Sequence, residues 1–176
     1  PVREAGNVVS IYSDTYATSG SHDYETNPLL VGSVNTTYDP TGEGVNTVIE
    51  YIDLYYQMIG LEGSVDASAM EFVHIDIWTT EAPRVRYFIN GHSPDINIER
   101  GQWSSVDIPV SDFNQEYFGS LNTLWIDARG GVTSPSKIYV DNIYFWRNPN
   151  NPPVAVNDTF EVNQNASEIG IDVIGN

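Results

Sequence analysis

Hydrophobic and polar residues alternate most regularly over 137–146, Lys-Ile-Tyr-Val-Asp-Asn-Ile-Tyr-Phe-Trp. A period of two in a run rich in β-branched and aromatic residues predicts a central strand. Strict alternation places Ile138, Val140, Asn142, Tyr144 and Trp146 on one face and Tyr139, Asp141, Ile143 and Phe145 on the other. Asp141 is then a carboxylate in an otherwise apolar row, which requires a partner, and a cation is one candidate. The stretch 71–79 alternates as cleanly, with Val73, Ile75 and Ile77 against Phe72, His74, Asp76 and Trp78. Shorter runs at 8–12, 29–37, 46–54, 55–61, 84–89, 96–99, 103–108 and 123–128 read as further strands. Turn signals such as Asp39-Pro40-Thr41-Gly42 and Asn90-Gly91 separate them. The polar stretch 13–24 reads as loop, and 110–121 as loop with one helical turn. About nine or ten short strands with no long amphipathic helix predict an all-β fold, a β-sandwich of jelly-roll type with two antiparallel sheets.

The run Arg147-Asn148-Pro149-Asn150-Asn151-Pro152-Pro153 cannot continue a strand. The expected organisation is a β-sandwich domain over 1–148, a linker at 149–153, and the truncated start of a second domain at 154–176. Pro152-Pro153-Val154-Ala155-Val156-Asn157-Asp158 resembles the opening of the Ig-like or cadherin-like repeats of large secreted bacterial proteins. The chain reads as a piece excised from a longer protein.

Charge narrows the partners. With 24 acidic and 7 basic residues, a formal charge of -17, the chain lacks the basic footprint that nucleic acid or an anionic membrane surface requires. A polyanion is disfavoured too unless the few arginines cluster. No cysteine is present, so no disulfide holds the fold, and no apolar run is long enough for membrane insertion as a helix. Eleven Tyr, four Trp and six Phe, in a chain also rich in Asn, Thr, Ser and Gly, suit carbohydrate binding; the plainer reading is that tyrosine favours strands.

Candidate chemistry follows from these residues. His22, His74 and His92 lack zinc-ligand spacing, and neither a Gly-x-Ser-x-Gly elbow nor a phosphate loop occurs. Glu50, Asp53, Asp76 and Asp127 lie in or beside strands, but no hydrolytic pair can be placed from their spacing. Calcium needs several oxygen ligands. Asp14, Asp23 and Asp141 supply them if the first and last strands adjoin; otherwise Asp14 and Asp23 are ordinary loop acids. Sugar binding needs flat rings flanked by hydrogen-bonding groups. Tyr55, Trp78, Tyr87, Trp103 and Trp125 are the ring candidates, with Arg84, Arg86 and Arg129 as forks for hydroxyls or anions. If Leu124 and Ile126 face inward, Trp125, Asp127 and Arg129 face outward together. Trp146 and Phe145 read as core, with one of Tyr87 and Phe88.

The stretches 9–16, 70–78, 103–113 and 138–145 resemble, in order, landmarks of calcium-containing β-sandwich carbohydrate-binding modules attached to marine bacterial laminarinase-type and agarase-type glycoside hydrolases. That resemblance implies a structural calcium on Asp14 and Asp141, with Asp23 as a further ligand. It implies non-catalytic binding of a polysaccharide, nominally a neutral β-glucan such as a β-1,3-glucan. Such a module is secreted or at the cell surface, where it targets a covalently linked enzyme or surface domain. The segment 22–37 lacks the Trp that such modules usually carry there, so the sugar does not transfer from the resemblance; an agar or porphyran galactan stays open because Arg84, Arg86 and Arg129 can form a local basic spot. The expected ligand-binding set is Tyr55, Trp78, Arg84, Trp125, Asp127 and Arg129, with no catalytic residue. The rival readings are a structural or adhesive module, and a glycoside hydrolase or polysaccharide lyase.

Overall fold

A computed structural model describes residues 2–26, 32–44, 46–89, 94–130 and 135–149. The expected linker beyond residue 149 and the Ig-like start at 154–176 lie outside the described residues.

Among the described residues eleven strands follow in order: β1 (Val8–Tyr12), β2 (His22–Asp23), β3 (Ser33–Tyr38), β4 (Val48–Leu54), β5 (Tyr56–Val65), β6 (Phe72–Trp78), β7 (Arg84–Ile89), β8 (Asp95–Asn97), β9 (Trp103–Pro109), β10 (Leu121–Gly130) and β11 (Ser136–Trp146). They form two antiparallel sheets, the β-sandwich that the alternation predicts. One sheet runs β3-β4-β11-β6-β9, and the other β2-β5-β10-β7-β8. β11 is the hub of the first sheet. It pairs β6 along one edge, and on the other edge β4 against its first half and β1 against its second. β10 plays the same part in the second sheet, between β5 and β7.

The core lies between the sheets. Val73, Ile75 and Ile77 from β6 are fully buried, as are Ile59 from β5, Tyr87 and Ile89 from β7, and Leu124 and Ile126 from β10. Each such side chain stabilises the fold by about 1.5–3 kcal/mol relative to remaining in water. Tyr87 therefore belongs to the core and not to a binding surface.

Three expectations need correction. The polar stretch 13–24 is not all loop: His22 and Asp23 pair with Leu61 and Gly60, adding an edge strand to the second sheet. The second expected strand begins at Ser33, with 27–31 outside the described residues. The faces of β11 also exchange halfway. Asn142 takes a left-handed backbone, φ 50°, and the register against β6 slips between Asp141 and Tyr144. This bulge puts one extra residue into β11. Ile143 and Phe145 consequently join Ile138 and Val140 in the core, while Tyr144 and Trp146 pass to the outward face with Tyr139 and Asp141. Trp146 is buried, but from outside the sandwich: it stacks on Phe72 and lies under the Arg3 guanidinium.

Candidate functional site

The outward face of the five-stranded sheet assembles from three central strands. Leu124 and Ile126 are fully buried, so the alternate residues of β10, Thr123, Trp125 and Asp127, turn outward. The same parity in β5, with Ile59 and Leu61 inward, turns Tyr56 and Met58 outward. In β7, Val85 and Tyr87 point in, and Arg84 and Arg86 point out. Register brings these residues side by side: Trp125 is opposite Met58, and Asp127 is flanked by Tyr56 on one side and Arg86 on the other.

The Tyr56 and Trp125 rings lie 5.6 Å apart, tilted by 38°. The Arg129 guanidinium sits 4.9 Å from the centre of the Tyr56 ring. Its Nε and Nη2 donate to the two Asp127 oxygens at 2.9 and 2.7 Å, and its backbone N–H donates to Oδ1 at 2.9 Å. Burial alone would raise the Asp127 carboxyl. The Arg129 hydrogen bonds, with the Arg129 and Arg86 charges, outweigh burial and hold the carboxyl below its ordinary value. Arg84 and Arg86 both donate to Asp95, each at 2.9 Å. The result is a half-exposed pair of rings beside a carboxylate and guanidinium groups locked in position.

Of the expected ligand-binding residues, Trp125, Asp127, Arg129 and Arg84 share this face. Tyr55 does not belong to the ring pair. It lies at the corner between β4 and β5, where its carbonyl accepts the Ala128 N–H, and Tyr56 takes the outward position. Counting in steps of two from Met58, the outward neighbour of the buried Ile59, would have found Tyr56. Trp78 lies across the sandwich, on the outward face of the other sheet, tilted against Tyr139.

His74 and Asp76 share the Trp78 side but are enclosed in a network. His74 is 2% exposed. Its Nδ1 lies 2.7 Å from Asp107 and its Nε2 3.2 Å from Asp76, and its ring stacks on Tyr144. Trp146 Nε1 and Arg3 also donate to Asp107, each at 2.8 Å. The N-terminal arm thus closes over a set of polar groups that satisfy one another.

The three expected calcium ligands do not come together. Asp23 is in β2 of the opposite sheet, and its carboxylate accepts the Glu25 N–H. Asp14 accepts the Thr47 N–H at 2.7 Å and hydroxyl at 2.9 Å, and Asp141 accepts the Asn142 N–H at 2.7 Å. Burial raises the Asp141 carboxyl to about 6 against the Asn142 N–H, with the Asp14 and Asp76 charges adding to the rise. Among the described residues no group of three or more His, Cys, Asp or Glu is arranged to hold a metal ion. Asp14 and Asp141 lie close enough for their charges to interact, and the rest of the six to eight oxygens calcium takes would have to come from hydroxyls, carbonyls or water. No helix among the described residues is long and apolar enough to cross a membrane.

No protein-family model matches the chain, and no curated protein matches it. Solved structures do share the fold. The family 30 carbohydrate-binding module of the cellulosomal cellulase Cel9D-Cel44B of Clostridium thermocellum superposes with a TM-score of 0.54 at 16% identity, over 81% of this chain and 99% of that one. A family 29 carbohydrate-binding module solved with mannohexaose gives 0.50 at 9% identity, over 78% and 89%. An exo-beta-agarase gives 0.53 at 14% identity, with 81% of this chain matching 25% of the enzyme. The chain therefore has a β-sandwich fold resembling that of several carbohydrate-binding modules.

Proposed function

We propose that the chain is a non-catalytic module that binds an uncharged polysaccharide on the Tyr56–Trp125 face and tethers covalently linked catalytic or surface domains to it, in a secreted or cell-surface protein. The domain that binds is taken to be residues 1–148. The observation that carries this reading is the half-exposed ring pair set beside the Asp127–Arg129 fork, on a fold that carbohydrate-binding modules share. Pyranose rings present apolar C–H faces that stack on Tyr and Trp, and their hydroxyls bond to fixed carboxylate and guanidinium groups. Water is displaced from the rings while the polar groups keep their partners.

The guanidinium groups favour a neutral glycan over a sulfated one. Arg84 and Arg86 already bind Asp95, and Arg129 already binds Asp127. A sulfate would meet guanidinium charges already compensated by carboxylates and would approach a chain of charge -17. A β-glucan such as a β-1,3-glucan is the nominal ligand, and a neutral agar-type galactan is the alternative. Calcium is not required for this reading.

Affinity electrophoresis in gels containing laminarin, mixed-linkage glucan, xylan, agarose, porphyran or alginate tests the proposal. Retardation in a neutral gel, abolished by Trp125→Ala and unchanged by a chelator, is the expected result. Free migration in every gel by a folded protein would overturn it.

A further inference from the structure

We propose that the chain carries a second sugar-stacking surface on the opposite sheet, which makes it bivalent toward an uncharged glycan. The surface is a shallow pocket of about 220 Å³ lined by Tyr38, Pro40, Val48, Trp78, Trp103 and Tyr139. β6 and β9 place Trp78 and Trp103 directly opposite each other in register. Across β11, Tyr139 tilts against Trp78 at 5.4 Å and stacks on Tyr38 at 5.2 Å. Trp103 is 45% exposed, and it is one of only three large hydrophobic residues open to solvent among the described residues. Strands spaced at sheet distance thus present a continuous aromatic floor with nothing from the described chain over it.

The occupant is inferred from what borders the floor. None of the six lining residues carries a formal charge at neutral pH. Polar groups beside it include the Lys137–Glu50 pair, 3.3 Å apart, and the hydroxyls of Tyr38 and Tyr139. An anionic glycan or acidic peptide would meet a body of charge -17 and a Lys137 already paired with Glu50, and a second copy of the chain would bring the same repulsion. A neutral pyranose ring needs neither charge: it needs aromatic planes and a few hydroxyl partners, and both are present. This surface shares no residue with the Tyr56–Trp125 face, and the two look out from opposite sheets. One glycan segment cannot lie on both, so occupancy of both joins two segments.

The test follows the four tryptophan indole N–H signals of the full chain by NMR during titration with laminarihexaose, cellohexaose, mannohexaose and neoagarohexaose, with signals assigned from single-Trp variants. With at least one of these sugars, the Trp78 and Trp103 signals are expected to move saturably. That movement should persist in Trp125→Ala and weaken about tenfold in affinity in Trp103→Ala, an exposed position whose loss leaves the core intact. Movement of Trp125 alone would overturn the second surface while leaving the proposed function standing. Movement of Trp78 and Trp103 alone would do the reverse. Loss of their movement in Trp125→Ala would show a single site and overturn bivalency, and silence of all four signals with every sugar would overturn both readings.

Discussion

Replacing Arg129 with alanine separates the two jobs its side chain performs. Asp127 is 2% exposed, and it accepts two hydrogen bonds from the guanidinium and one from the Arg129 backbone. Arg129→Ala keeps the backbone bond and removes the other two. A hydrogen bond to a charged, buried group contributes about 1.5–3 kcal/mol. The guanidinium is half open to solvent, however, and water will take part of its place. The variant should therefore lose about 1–3 kcal/mol in all near neutral pH. The pH dependence has a definite sign. The Asp127 carboxyl is held below its ordinary 3.8 in the folded protein. Its contribution is then present above 3.8 and is lost as the pH falls through the lower, folded-state value. The gap between wild type and Arg129→Ala, read from urea unfolding, should be widest near neutrality and should narrow at acid pH. Arg129→Lys, which keeps the charge and loses the fork, should fall between them. Adding Asp127→Asn to Arg129→Ala should recover part of the loss, because no buried charge is then left unpaired. A gap that does not change with pH, or none at all, would refute the assignment of Arg129 as the group that holds Asp127 charged.

Three other substitutions test the fold around the two faces. Asp141→Asn should stabilise the protein by about 2–3 kcal/mol above pH 7 in the presence of a chelator, because the buried carboxyl, raised to about 6, contributes stability that is complete below 3.8 and lost as the pH rises through about 6. Thermal melts at acid and alkaline pH check this, and an advantage that grows toward acid would contradict it. Asn142→Ala should cost about 2–3 kcal/mol, from its φ of 50° and its bonds to Asp76 and Asp141, whereas Asn142→Gly should recover only the backbone share in the same melts. Gly60→Ala would bring a Cβ within 2.5 Å of Thr26 Oγ1, which accepts the Gly60 N–H, and should cost about 1–2 kcal/mol in urea unfolding; most of that should return when Thr26→Ala is added.

Wherever alternation ran unbroken, the sequence was enough. Val73, Ile75 and Ile77 are core and His74, Asp76 and Trp78 face out because β6 is extended from end to end. Leu124 and Ile126 likewise fixed Trp125 and Asp127 as neighbours. Reading failed at two left-handed residues. Asn142, φ 50°, inserts one residue into β11, and every side chain beyond it changes face, so Trp146 leaves the core set. Asp53, φ 56°, lies where β4 slips in register against β11, so Leu54 is buried where unbroken alternation from Tyr51 would turn it outward. Asn and Asp tolerate that backbone better than other side chains do, yet most of the Asn and Asp residues here do not adopt it. Their presence permits a phase change without announcing one. Which strands share a sheet was legible in part: the adjacency of β1 and β11 was foreseeable, but that of β2 with β5 was not, and the latter carried Asp23 away from Asp14 and Asp141.

The charge distribution reconciles an acidic chain with the proposed binding surface. Of the 7 basic residues, Arg3, Arg84, Arg86, Arg129 and Lys137 each lie against a carboxylate, at 2.7–3.3 Å. These cations act as positioning groups for Asp107, Asp95, Asp127 and Glu50, and their charges are largely compensated. Excess negative charge remains over the rest of the surface, where it keeps the chain soluble and repels anionic polymers. The aromatic positions escape this field because a C–H face stacked on a ring carries no net charge to repel. On the proposed function, such a charge distribution would favour neutral sugars over sulfated or uronic ones, by composition as well as by shape.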